Sequence, residues 1–163
     1  MNIVIFGPPG AGKGTQSSFI VKKFNLYQLS TGELLRNEIK NNSKLGKEIS
    51  STINSGNLVS DFIVSNLIEK YVSDNLYKSR LIFDGYPRNL AQAKNLDDLL
   101  TKYDQKIEVV LKLSVSLETI KKRILERRSL EKRADDSEKI AVKRYKTYEK
   151  STEPVIEYYK KMN

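Results

Sequence analysis

The chain has 163 residues, no cysteine, no histidine and a formal net charge of +9. Disulfides, thiolate zinc sites and the commonest neutral-pH acid–base group are thereby excluded, and no apolar run approaches the roughly 18 residues of a membrane span. With 39% hydrophobic and 30% charged residues the chain reads as globular, of a length suited to one domain.

The positive balance reads as a lysine-rich solvated surface plus a cluster of arginines. The lysines are spread over several helical stretches without interleaved exposed aromatics, so neither nucleic acid nor membrane is expected as a partner. The lack of cysteine fits a reducing compartment, and the N-terminus enters a strand at once without a signal peptide. A cytoplasmic protein is expected.

In chain order, residues 1–6 read as a strand that feeds Gly7-Pro8-Pro9-Gly10-Ala11-Gly12-Lys13-Gly14-Thr15. A helix over 13–24 follows, with Phe19, Ile20 and Phe24 expected on its inner face. Residues 26–29 form a short second strand. Ser30-Thr31-Gly32-Glu33 then opens a helix with a hydroxyl residue as its cap, and with Leu34, Leu35 and Ile39 inward. Leu45, Ile49 and Ile53 recur every four residues on a further helix, which stops at the turn cluster Asn54-Ser55-Gly56-Asn57. Ser60-Asp61 begins the next helix, striped by Ile63, Val64, Leu67, Ile68, Tyr71 and Val72. Residues 81–84 are a third strand, and Leu96, Leu99, Leu100 and Tyr103 mark the helix after it. Residues 107–113 read as a fourth, buried strand. Leu117, Ile120, Ile124 and Leu125 give an amphipathic helix, 127–136 a short polar connection, and a long final helix starts near Ser137 with Pro154 kinking or restarting it. Strands alternating with helices predict an α/β fold with a parallel sheet and its site beyond the carboxyl ends of the strands.

The chemistry concentrates in that region. A strand, a glycine-rich turn and a helix N-terminus make a phosphate cradle, to which the helix dipole and Lys13 add positive charge. Gly14 stands where this motif usually places a Mg²⁺-binding hydroxyl, and Thr15 comes one residue later. The metal is therefore expected on nucleotide oxygens and water. Asp84 ends an apolar strand beside this loop, where a carboxylate can orient Mg²⁺ or its waters. Gly85 follows it, where hydrolytic ATPases often carry a water-activating carboxylate. Arg36, Arg88, Arg123, Arg127, Arg133 and Arg144 supply planar forks suited to phosphate. Phosphoryl transfer needs positioning and charge neutralisation, so the absence of His and Cys is no handicap.

These residues resemble those of nucleoside monophosphate kinases, specifically the adenylate kinase family, over nearly the whole chain. The match is carried by Gly7 to Gln16, by Leu29-Ser30-Thr31-Gly32-Glu33-Leu34-Leu35-Arg36, by Gly56-Asn57-Leu58-Val59-Ser60-Asp61, and by Asp84-Gly85-Tyr86-Pro87-Arg88. Arg133-Ala134-Asp135-Asp136 and Lys143-Arg144-Tyr145 add to it. The resemblance implies a three-layer P-loop fold with helices flanking a parallel sheet, four strands in this chain with the fifth absent. It implies a single P-loop kinase domain over 1–163, with 30–72 as a mobile segment for the monophosphate and 127–136 as a short lid loop.

The implied reaction is reversible transfer of a phosphoryl from ATP to AMP, giving two ADP, with Mg²⁺ and without zinc, in a monomer. Lys13, Arg88, Arg123, Arg133 and Arg144 would serve the transfer. ATP would meet Gly10, Ala11, Gly12, Lys13, Gly14, Thr15, Arg123 and Arg127. AMP would meet Thr31, Arg36, Val59, Gly85, Arg88, Gln92, Arg133 and Arg144, with Gln92 reading adenine, and Asp84 would organise the metal through water. Asn89 also occurs in UMP/CMP kinases, which stay open as an alternative. Relatives continue past residue 163 into a fifth strand and a helix near the ATP adenine. A nucleotide-binding fragment without transfer activity is therefore a second alternative, with apolar surface exposed at the sheet edge.

Overall fold

The computed structural model describes residues 1–131 and 135–162. Strand β1 (Asn2–Phe6) leads through the glycine-rich loop into helix α1 (Lys13–Phe24). Strand β2 (Tyr27–Ser30) is followed by α2 (Thr31–Lys40), α3 (Lys44–Asn54) and α4 (Asp61–Val72). Strand β3 (Leu81–Asp84), α5 (Leu90–Lys102) and β4 (Ile107–Lys112) come next. Helices α6 (Leu117–Glu131), α7 (Glu138–Thr147) and α8 (Glu153–Met162) complete the order, α7 and α8 being joined by a wide π-type turn, Tyr148–Thr152.

All strand pairs are parallel, in the order β2-β3-β1-β4. The chain thus leaves β1 in one direction, to β2 beyond β3, and reaches β4 on the other side of β1. A sheet of this order opens a crevice beyond the carboxyl end of the central strand. Strand alternation sends β1 side chains to opposite faces. Val4 and Phe6 join Leu29, Leu81 and Phe83 in the large core under α2–α5 and α8, whereas Ile3, Ile5, Leu26 and Ile82 form a smaller core against α1.

Several expectations are corrected. Phe19 and Phe24 are 64% and 51% exposed, and the side of α1 that meets the sheet is Ser17, Ile20 and Val21. An apolar residue in a helix window does not say which arc faces the sheet, and Lys23 sits over the Phe24 ring instead. Strand β4 is only half-buried, because among the described residues it pairs with β1 alone. Leu125 is exposed, while Ile120 and Ile124 pack against Ala141 of α7. The polar connection expected at 127–136 is helical as far as Glu131, so Arg127 stands on α6. Ser30 occupies the cap position of α2 without a side-chain hydrogen bond there. The kink or restart expected at Pro154 falls at the start of α8, directly after the π-type turn, with the backbone staying helical through the junction.

Candidate active site

Beyond the carboxyl ends of β1 and β3 lies a cleft of about 620 Å³. Its floor is the glycine-rich loop. Gly12 caps α1 at φ 93°, a left-handed conformation that a side chain would strain, so the loop turns sharply into the helix. The amides of Lys13, Gly14 and Thr15 belong to the first helical turn, where no intrahelical carbonyl can serve them, and all three residues line the cleft. The loop is braced from outside: Arg123 donates to the carbonyl oxygens of Ala11 at 3.1 Å and Gly10 at 3.4 Å.

Lys13 Nζ donates to the Gly7 and Pro8 carbonyl oxygens at 2.7 and 3.2 Å. Burial lowers its pKa to about 8; Asp84 works against that shift, and Arg88, Arg144 and Arg127 add to it. Arg88 is likewise pulled down to about 10, by burial first and then by Arg144 and Arg36, with Asp84 and Asp135 opposing. The five cations named in these shifts belong to five different elements or loops, so the fold itself drives them together. Such a concentration of buried positive charge is a site for polyanions.

Each cation is held in place. Arg88 is fixed at three points: its Nε donates to Gly85 O at 2.6 Å, its N–H to Gln92 Oε1 at 2.7 Å, and its carbonyl accepts from Thr152 Oγ1 at 2.9 Å. Arg127 meets the fully buried Asp136 through both Nε (2.7 Å) and Nη2, and this carboxylate holds its pKa above the ordinary value although burial pulls the other way. Arg144 donates to Asp135 Oδ2 at 2.6 Å. Asp84 is buried and accepts from Gln28 Nε2 at 2.9 Å.

The cleft brings together most of the residues expected from sequence. Gly10, Gly12, Lys13, Gly14, Thr15, Arg36, Val59, Asp84, Gly85, Arg88, Arg123, Arg127 and Arg144 all line it. Three expected residues do not. Ala11 is buried, its N–H bonded to Pro8 O, and its methyl lies where a Gly7 Cβ would be 3.1 Å away. Thr31 is 1% exposed and donates to Gly85 O at 2.9 Å, stitching the start of α2 to the turn after β3. Gln92 is 2% exposed, its amide engaged with Arg88 and Asp61, and it borders a separate depression between α4 and α5. Arg133 lies outside the described residues.

Sequence reasoning did not assign Gln28, Thr152, Asp135 and Asp136 as partners of these groups. Gln28 lies 56 residues from Asp84 and Thr152 lies 64 from Arg88, separations that leave no local pattern. Asn89 serves the fold, because its Oδ1 accepts from Gln92 N at 2.8 Å and caps α5.

A central parallel strand opening through glycines into a helix N-terminus, with five arginines and a lysine turned to one cleft, defines a P-loop kinase. The family model described as adenylate kinase matches residues 5–163. An adenylate kinase of Pelagibacter ubique is 44% identical over 187 aligned positions, covering 99% of this chain and 88% of that protein. One of Fusobacterium nucleatum is 42% identical over 185 positions (100% and 88%), and one of Flavobacterium psychrophilum 41% over 161 (98% and 85%). The chain belongs to the adenylate kinase family, and so to the nucleoside monophosphate kinases. The alignments of 187 and 185 positions exceed the 163 residues of the chain, so those two relatives carry residues inside the matched span that this chain lacks.

Proposed function

We propose that the chain transfers the terminal phosphoryl of ATP to AMP, reversibly, giving two ADP. The observation that carries this is the meeting of Lys13 and Arg88 in one cleft, both depressed by burial, with Arg36 and Arg144 acting on Arg88. ATP phosphates lie on the amides of Gly10 and of Gly12 to Thr15 and on the Lys13 side chain, with Arg123 and Arg127 beside them. The AMP phosphate lies on Arg36 and Arg88, with Val59 and Gly85 along the nucleoside, Thr31 holding the Gly85 turn and Gln92 reading the base. Arg144, together with Arg133, surrounds the transferred group. No general base is required when two phosphates are held in line and their charge is neutralised.

Among the described residues no group of three or more His, Cys, Asp or Glu side chains could cage a metal. One buried carboxylate, Asp84, beside the loop fits Mg²⁺ that arrives on ATP and keeps most of its water. Asp84 would hold such an ion through its water shell, and the ion would supply charge neutralisation for the phosphates.

The transfer also needs water excluded, because a loose phosphoryl otherwise goes to hydrolysis. The segment 30–72 acts as the cover on the AMP side, and the stretch 127–136, which begins in the last turns of α6, as a short lid on the ATP side. We further read the protein as a cytoplasmic monomer, in keeping with its cysteine-free composition; no helix among the described residues is long and apolar enough to cross a membrane.

The test is a coupled assay with ATP and each of AMP, CMP, UMP and GMP. ADP formation with AMP well above the others is expected. Binding of ATP by the folded protein without turnover on any monophosphate would refute the reading.

A further inference from the structure

The carboxamide of Gln92 is held at both ends. Its oxygen accepts from the backbone N–H of Arg88 at 2.7 Å, and its nitrogen donates to Asp61 Oδ1 at 2.7 Å. Asp61 is itself braced by Asn89 Nδ2, at 3.2 and 3.1 Å from its two oxygens. A backbone amide can only donate and a carboxylate can only accept, so chemistry fixes which end of the Gln92 amide points which way. One N–H and one oxygen lone pair of the amide remain.

We propose that Asp61 is a specificity-determining positioning residue: it locks the Gln92 amide in the one orientation whose remaining donor and acceptor match a 6-aminopurine and oppose a 6-oxopurine. This rests on the reading of Gln92 as the residue that meets the base. Adenine offers a donor at N6 beside an acceptor at N1; a 6-oxopurine offers an acceptor at O6 beside a donor at N1, the same pair in reverse. To serve the reversed pair the amide must flip. A flipped amide sets its nitrogen against the Arg88 N–H and its oxygen against the Asp61 carboxylate, two like-against-like contacts in a site only 2% exposed. Asp61 begins α4, so the lock ties the base reader to the segment that covers the monophosphate.

Comparing AMP with IMP isolates this edge, since the two differ there and nowhere else. In Asp61→Asn the side-chain amide can turn its nitrogen toward a flipped Gln92, removing one of the two opposing contacts. The kcat/KM ratio of AMP to IMP should then fall about tenfold, mostly through the KM values, with Asp61→Ala similar and Asp61→Glu restoring part of the ratio. Gln92→Ala serves as the reference and should abolish most of the preference. If Gln92→Ala lowers the ratio and Asp61→Asn leaves it unchanged, Asp61 has no part in selection. A variant that loses melting temperature and both activities in equal proportion marks Asp61 as structural only, which overturns the proposal. Should Gln92→Ala itself leave the ratio unmoved, the reading of Gln92 fails and the lock with it.

Discussion

Lys13 Nζ rests on the carbonyl oxygen of Gly7 at 2.7 Å, so the cation that closes the glycine-rich loop is satisfied by the loop's own backbone. Phosphate must draw it from there, and it must be charged to be drawn. Burial lowers its pKa to about 8, below the ordinary lysine value of 10.5. Between these values the unfolded chain holds the proton and the folded one releases it. Protonated Lys13 therefore opposes folding at neutral pH, and that opposition is relieved as pH rises through 8 toward 10.5. ATP affinity runs the other way. It should be full below pH 7 and weaken above 8, with proton uptake on binding at pH 8.5. Calorimetry in buffers of different ionisation enthalpy measures that uptake, and its absence at pH 8.5 would contradict the assignment.

Arg88 is clamped at Gly85, Gln92 and Thr152 before any ligand arrives. Preorganised charge of this kind is worth more than charge that must reorganise. Arg88→Ala is expected to lower kcat/KM by about 10²–10³ with little change in melting temperature. A loss under about tenfold in steady-state kinetics would place Arg88 away from the reacting phosphates.

The Arg127–Asp136 pair is half in water: Arg127 keeps 24% side-chain exposure while Asp136 has none. Removing the aspartate strands a guanidinium that water can partly reach. Asp136→Ala should destabilise by about 2–3 kcal/mol, below the figure for a fully buried pair. Chemical denaturation reads this directly, and an unchanged midpoint would show the pair to be neutral.

Gly46 lies inside α3, where a Cβ would sit 2.1 Å from the carbonyl oxygen of Glu38 in α2. Backbone cannot give way as a side-chain tip can. Gly46→Ala should therefore push α3 off α2 and destabilise by roughly 1–3 kcal/mol, although alanine is the better helix former. A stabilised Gly46→Ala protein in thermal melts would mean the two helices separate freely.

The 30–72 segment touches α7 through Lys143 Nζ, which donates to Ser55 O at 2.9 Å. As a cover over the monophosphate it should shift as a unit when both substrate sites fill. Solution scattering with and without a bisubstrate analogue is the check; superimposable curves would argue against a moving cover.

Much of this was legible in residue order because it is local. The phosphate loop follows from glycines, a lysine and a strand within fifteen residues, and the helices from apolar spacing, whose period is a property of the backbone. The parallel sheet follows from alternation, since a strand-helix-strand unit has one hand. What only the tertiary structure decided lies in contacts between distant segments. The arc of α1 that meets the sheet left Phe19 and Phe24 in water. The Arg88 carbonyl met the Thr152 hydroxyl from 64 residues away. The amide of Gln92, read from sequence as a base contact, is oriented by an aspartate 31 residues away. Propensity and spacing act over a few residues, whereas these pairings are set by how whole elements pack. The same holds for the cleft: sequence named its cations one by one, and the fold buried Lys13 and Arg88 beside other arginines, so that burial first and those neighbours second lower both pKa values.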